Sequence, residues 1–188
     1  MTTAERYTFF TYTEYLRALE DSHIKLEYRD GEIFAMAGGT PAHARLSARA
    51  TFLLQRAVGD RCAVYNSDAK VLIETADLAT FPDGSVVCGP EARAAKDQNA
   101  LTNPVLVVEV TSNSTERYDR EEKLRRYQKL DSLRAVLIVS HRAPRVTVVQ
   151  RTGTAWLTTE VTTGMVSIDE PQVQFSLEEL YAAVVLEP

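Results

Sequence analysis

The chain has 188 residues, of which 45% are hydrophobic and 25% charged, with a net charge of −5. That make-up excludes a disordered or fibrous chain, and its sign excludes a molecule drawn as a whole to nucleic acid; binding DNA or RNA needs a local basic strip. No apolar run approaches the ~18–20 residues that span a bilayer, and the polar N-terminus has no signal-peptide core. A cytoplasmic protein with no membrane contact is therefore expected, folded as a single domain over residues 1–188.

In chain order, Thr11 or Thr13 is placed to cap a short amphipathic helix with Tyr15, Leu16 and Leu19 facing inward. Residues 25–28 and 32–37 then read as a hairpin turning at Asp30-Gly31. Apolar residues at helical spacing (Leu46, Ala50, Leu53, Leu54, Ala57) predict a long helix over 43–58, stopped by Gly59-Asp60. Residues 62–74 form a strand region interrupted by Asp68 and Lys70, 77–81 a loop, and 85–88 a short strand after the Pro82-Asp83-Gly84 turn. The polar segment 91–102 reads as an exposed loop or frayed helix. Cys62 and Cys88, far apart in apolar surroundings, read as two reduced core thiols.

The centre of the chain is PVLVVEVTSNSTERYDREEKLRRYQKL, residues 104–130. Residues 105–110 are apolar on both faces, as in a strand buried within a sheet, and Glu109 alone breaks the run. A buried carboxylate needs a cation, a hydrogen bond or a proton. Ser114 or Thr115 is placed to cap the helix that follows, which carries Asp119, Lys123 and Tyr127 on one face. Strands follow at 135–140, 145–151 and 155–161, and the tail from Ser176 has the S-x-x-E pattern of a capped helix with Glu179. The element order predicts a mixed α/β (α+β) sheet with helices packed on it.

Two carboxylates on neighbouring strands repel, and a divalent cation relieves the repulsion. Asp83 and Glu109 are the candidates, with Lys123 to orient an attacking water or stabilise developing charge, and Tyr127 one turn further on. The scattered His23, His43 and His141 do not make a zinc centre, Gly38-Gly39 lacks the rest of a Walker motif, and no G-x-S-x-G elbow is present.

The stretches DGEIFAMAGGTPAHARL, FPDGSVV, the central segment and AVLIVS, in that order and spacing, resemble the Uma-type endonucleases of the PD-(D/E)XK, restriction-endonuclease-like superfamily. The resemblance implies a restriction-endonuclease-like core, a central mixed β-sheet flanked by helices. It implies that Asp83 and Glu109 hold Mg²⁺ (or Mn²⁺) with the Val110 carbonyl, and that Lys123 replaces the lysine which the superfamily motif puts at position 111, here Thr111. Glu27 matches an acid near the site, His43 a histidine at the start of the long helix, and Asp68 a residue behind the ligands. Gly84 departs from the family's β-branched residue and is expected to loosen the strand carrying Asp83. The expected function is a Mg²⁺-dependent endonuclease acting on DNA, with a strip of Arg117, Arg120, Lys123, Arg125, Arg126 and Lys129 facing it, and a homodimer would suit cutting of both strands. The alternative is a catalytically inactive member of the fold that binds DNA or scaffolds a partner.

Overall fold

The computed structural model describes residues 9–36, 38–112 and 116–186. Helix α1 (Tyr12–Asp21) begins at Thr11, whose hydroxyl accepts the Glu14 amide while the Glu14 carboxylate accepts the Thr11 amide, a reciprocal capping box. The hairpin β1 (Leu26–Arg29) and β2 (Glu32–Ala35) closes through Asp30 and Gly31, both at positive φ as a tight hairpin turn requires. Helix α2 (Pro41–Val58) starts at a Thr40 cap with proline in its first turn.

The strand region predicted over 62–74 is two strands, β3 (Cys62–Asn66) and β4 (Lys70–Ile73), and they enter different sheets. The predicted loop at 77–81 contains β5 (Leu78–Thr80), and β6 (Gly84–Cys88) follows. The segment predicted to be an exposed loop is also corrected. It is a hairpin of β7 (Arg93–Ala94) and β8 (Asp97–Leu101), with Ala94, Asp97, Ala100 and Leu101 buried. Polar composition hid it, because its acid is buried against a lysine distant in sequence.

After β9 (Leu106–Val110), the expected caps Ser114 and Thr115 lie outside the described residues. Helix α3 (Glu116–Tyr118) runs through a π turn (Asp119–Lys123) into α4 (Leu124–Tyr127). Strands β10 (Ala135–Val139), β11 (Val146–Thr152) and β12 (Ala155–Val161) form the expected meander. A hairpin not anticipated from sequence, β13 (Met165–Ile168) and β14 (Val173–Ser176), precedes α5 (Leu177–Tyr181), which Ser176 caps through the Glu179 amide.

Among the described residues the strands form two sheets of six, ordered β2-β1-β5-β4-β8-β7 and β12-β11-β10-β9-β6-β3, plus the β13–β14 pair. In the second sheet β9 and β10 are parallel, and the other pairs are antiparallel. Alternation along β9 divides its side chains. Leu106, Val108 and Val110 pack with Leu46, Leu53 and Leu54 of α2, each fully buried Leu contributing about 1.5–3 kcal/mol. Val107 lies on the opposite face, in a cluster with Tyr127, Ile138 and three residues of the first sheet and its approach, Val71, Ile73 and Leu78. Glu109 shares that face.

Gly84 does not loosen its strand. It pairs with Asn66 and Val108, and a Cβ there would stand 3.0 Å from Cγ2 of Thr51, so its bareness lets α2 approach the sheet. The two cysteines are not free thiols either. The β3–β6 register sets Cys62 opposite Cys88, and a disulfide joins them with Cα atoms 4.2 Å apart. Among the described residues no helix is long and apolar enough to cross a membrane.

Candidate active site

A cleft of about 1020 Å³ opens between the β1–β2 hairpin, the start of α2, the end of β9 and the π turn. Glu27, His43, Asp83, Glu109, Val110 and Lys123 all line it. Asp83 sits just before β6, and its Oδ2 accepts the Val110 amide at 2.7 Å, tying the turn to the end of β9. His43, in the first turn of α2, brings Nε2 to 3.3 Å from the same oxygen. A hydrogen bond to Asp83 raises the His43 pKa against the opposing effect of burial, with the Val110 backbone and Glu109 adding to the rise. Gly39 packs against this ring, since a Cβ there would meet His43 Nδ1 at 2.6 Å.

Glu109 is 5% exposed. Its Oε1 lies 2.9 Å from Lys123 Nζ and accepts the Tyr127 hydroxyl. Burial pushes the Glu109 carboxyl up to about 8; Lys123 and Tyr127 pull it down, while Asp119 and Asp83 repel its charge and add to the rise. Lys123 also reaches Glu27 Oε1 at 3.3 Å, and Glu27 is held by the Thr80 hydroxyl and the Phe81 amide. Burial alone would lower Lys123, but Glu109, Tyr127, Glu27 and Asp119 outweigh it and hold the ammonium well above its ordinary pKa. The π turn is the device that seats these groups. It brings Asp119 and Lys123 inward on one helix and continues to Tyr127, and all three are buried.

Thr111 explains why the lysine comes from a helix. Two residues after Glu109 and on the same face, it is fully buried, its Oγ1 2.8 Å from His141 Nδ1 and 3.3 Å from the Val139 carbonyl it donates to. A side chain committed there does not enter the cleft. Asp68 is not brought to the site. It pairs with Lys25 at 2.7 Å, its side chain 75% exposed, and it does not line the cleft.

Asp119 is a cleft residue that the sequence showed only as a helical neighbour of Lys123. Arg29, Phe34, Arg117 and Tyr118 line the cleft as well, and of these only Arg117 carried a signal, as part of the basic strip. That strip is broken up in the fold: Lys123 is buried, Arg120 bonds Glu116 and Thr147, and Arg126 bonds Glu122 and the Ala76 carbonyl.

Among the described residues no three His, Cys, Asp or Glu side chains converge as a metal cage. The oxygen set of Asp83, Glu109 and the Val110 backbone nevertheless suits a hard cation, because Mg²⁺ takes one or two carboxylates and keeps its remaining places for water and phosphate. Crowded negative charge around Glu109 favours that occupant.

The Uma2 family model, described as "Putative restriction endonuclease", matches residues 12–183. Two Synechocystis sp. proteins are similar. The protein slr1290 is 43% identical over 128 residues, 68% of this chain and just under two thirds (66%) of its own length. The protein sll1609 is 32% identical over 153 residues, 80% of this chain and 86% of its own length. The crystal structure of a "putative nuclease belonging to DUF820" from Anabaena variabilis superposes with a TM-score of 0.73, covering 92% of this chain and 98% of that one at 16% identity. That likeness gives the fold, a restriction-endonuclease-like mixed sheet flanked by helices. With its model matched along nearly the whole sequence and the fold shared, the chain belongs to the Uma2 family.

Proposed function

We propose that the protein is a metal-dependent endonuclease that hydrolyses phosphodiester bonds in DNA at this cleft. The observation that carries the reading is the meeting of Lys123, from a helix, with Glu109, from a buried strand, beside an Asp83 tied to the next residue of that strand. Asp83, Glu109 and the Val110 carbonyl would hold Mg²⁺ or Mn²⁺, which when bound polarises a phosphoryl oxygen and acidifies a water.

The side chains divide the remaining work. Lys123 keeps its charge at neutral pH because the neighbouring acids outweigh its burial, so it serves as a fixed positive charge that orients the water and stabilises negative charge in the transition state, not as a base. Glu109 must lose its proton to act as a ligand, and Tyr127 donates to its Oε1 and fixes its rotamer. His43 and the Val110 amide hold Asp83 from two sides. Glu27, anchored by Thr80 and Phe81, keeps Lys123 Nζ at the cleft wall.

The test is cleavage of plasmid and single-stranded DNA with Mg²⁺ or Mn²⁺ by wild type, Asp83→Asn and Glu109→Gln, each matched for folding by circular dichroism and melting. Metal-dependent nicking by wild type and loss in both variants is the expected result. Nicking that survives both substitutions moves the site elsewhere, and absence of both cleavage and Mn²⁺ binding in a calorimetric titration leaves a non-catalytic scaffold.

A further inference from the structure

We propose that Phe34, backed by Arg29 and Tyr118, is a stacking platform for an unpaired nucleobase, so that the cleft takes single-stranded rather than continuous duplex nucleic acid. The inference rests on the phosphodiesterase reading and names its substrate class. Phe34 is the cross-strand partner of Glu27, so its ring stands on the same face of the hairpin, one strand away from the acid that touches Lys123. It is a large apolar side chain left 37% exposed at the cleft wall.

Its backing is built. The Arg29 guanidinium carbon lies 4.2 Å from the Phe34 ring centroid and 4.7 Å from that of Tyr118, and Arg29 Nη1 is 3.6 Å from Glu122. The stack of ring, guanidinium and ring joins the hairpin to the π-turn helix, and a base laid on the open side of Phe34 would extend it.

Charge and size favour one strand over two. Glu27, Asp83, Asp119, Glu121 and Glu122 line the cleft against the cations Arg29, Arg117 and Lys123, on a chain of net charge −5. Two phosphate backbones brought against such a wall would be repelled, whereas stacking is a source of affinity that uses no protein charge. A cleft of about 1020 Å³ is of the size that encloses a drug-sized ligand, the scale of one or two nucleotides.

The experiment uses the nicking-deficient Glu109→Gln protein and a single-stranded DNA 12-mer carrying 2-aminopurine, whose fluorescence is quenched when it stacks. The same DNA as a duplex, and the same sequence as RNA, are run beside it. Quenching with single strands and not with duplex is expected. Adding Phe34→Ala should weaken binding roughly 5- to 150-fold, the loss of one stacked base, and remove the quench, while Phe34→Trp restores both. Equal quenching of RNA and DNA supports a platform that ignores the sugar. Duplex bound as tightly as single strand, or binding unmoved by Phe34→Ala, overturns the platform and leaves the nuclease reading standing on wild-type cleavage. If no nucleic acid is bound and wild type cleaves none, both fall.

Discussion

Among the described residues two lysine–carboxylate pairs are buried, each with a tyrosine, and they are built to opposite ends. Lys70 of β4 lies 2.7 Å from Asp97 of β8, and Asp97 also accepts the Tyr12 hydroxyl at 2.7 Å and the Asn99 amide at 3.1 Å. Burial pushes Asp97 up, but the bonds from Lys70 and Tyr12 outweigh it and hold the carboxyl below its ordinary value. Neither residue lines the cleft. Glu109, by contrast, shares its lysine with Glu27, is crowded by Asp83 and Asp119, and stands above its ordinary value on a cleft wall. A buried pair whose charges are fully answered is scaffold. One with surplus negative charge facing a cleft is ready for a further cation.

The largest effect should come from deleting the lysines. Lys70→Met leaves an ionised Asp97 without its cation and should cost about 3–5 kcal/mol in urea unfolding, with cleavage per folded molecule unchanged. Lys123→Met should abolish cleavage yet cost clearly less at pH 7, because Glu109 can take up a proton. Equal costs would break the contrast.

Stability against pH should then separate the two acids. Glu109 is raised from 4.5 to about 8, so between those values the folded chain binds more protons than the unfolded one, and stability falls as pH rises. Glu109→Gln should therefore gain on wild type by up to about 1.4 kcal/mol per pH unit across that window. Asp97 is lowered, so its contribution is present above its unfolded pKa and lost as pH falls through the folded one; Asp97→Asn should lose its disadvantage in acid. Parallel pH curves for the two variants would contradict the distinction.

The tyrosines give a smaller test. Tyr12→Phe and Tyr127→Phe each remove a hydrogen bond to a carboxylate, about 1.5–3 kcal/mol by chemical denaturation. Only Tyr127→Phe should also shift the pH–rate profile to higher pH, since it removes a donor that favours ionised Glu109. Smallest of all, Asp68→Ala should change stability by less than about 1 kcal/mol and leave cleavage untouched, as for an exposed ion pair.

What could be seen in the sequence follows from locality. The central strand and its odd acid were legible because an apolar run makes one carboxylate conspicuous, and Asp119, Lys123 and Tyr127 share a face by spacing alone. The Lys70–Asp97 pair was not legible, since its members are joined only by the parallel pairing of β4 with β8 and by a tyrosine 85 residues away. The Cys62–Cys88 bond likewise exists only in the β3–β6 register, and the Phe34–Arg29–Tyr118 stack only where the hairpin meets a helix distant in sequence. Helical spacing did place three residues inward, but it gave no sign that a π turn does so.

That π turn is also a place where chain length can change without moving the site. A π turn accommodates one residue more than an α-helical path between the same ends, so a one-residue deletion at exposed Glu121 would return the segment 119–123 to regular helix with its ends in place. Tyr118 would stay against Arg29, and Asp119 and Lys123 would still share a face. The same deletion in a regular α-helical turn would rotate everything before it by about 100°. Within this architecture, the π turn is the point of this helix where a residue can be lost while the cleft keeps its groups.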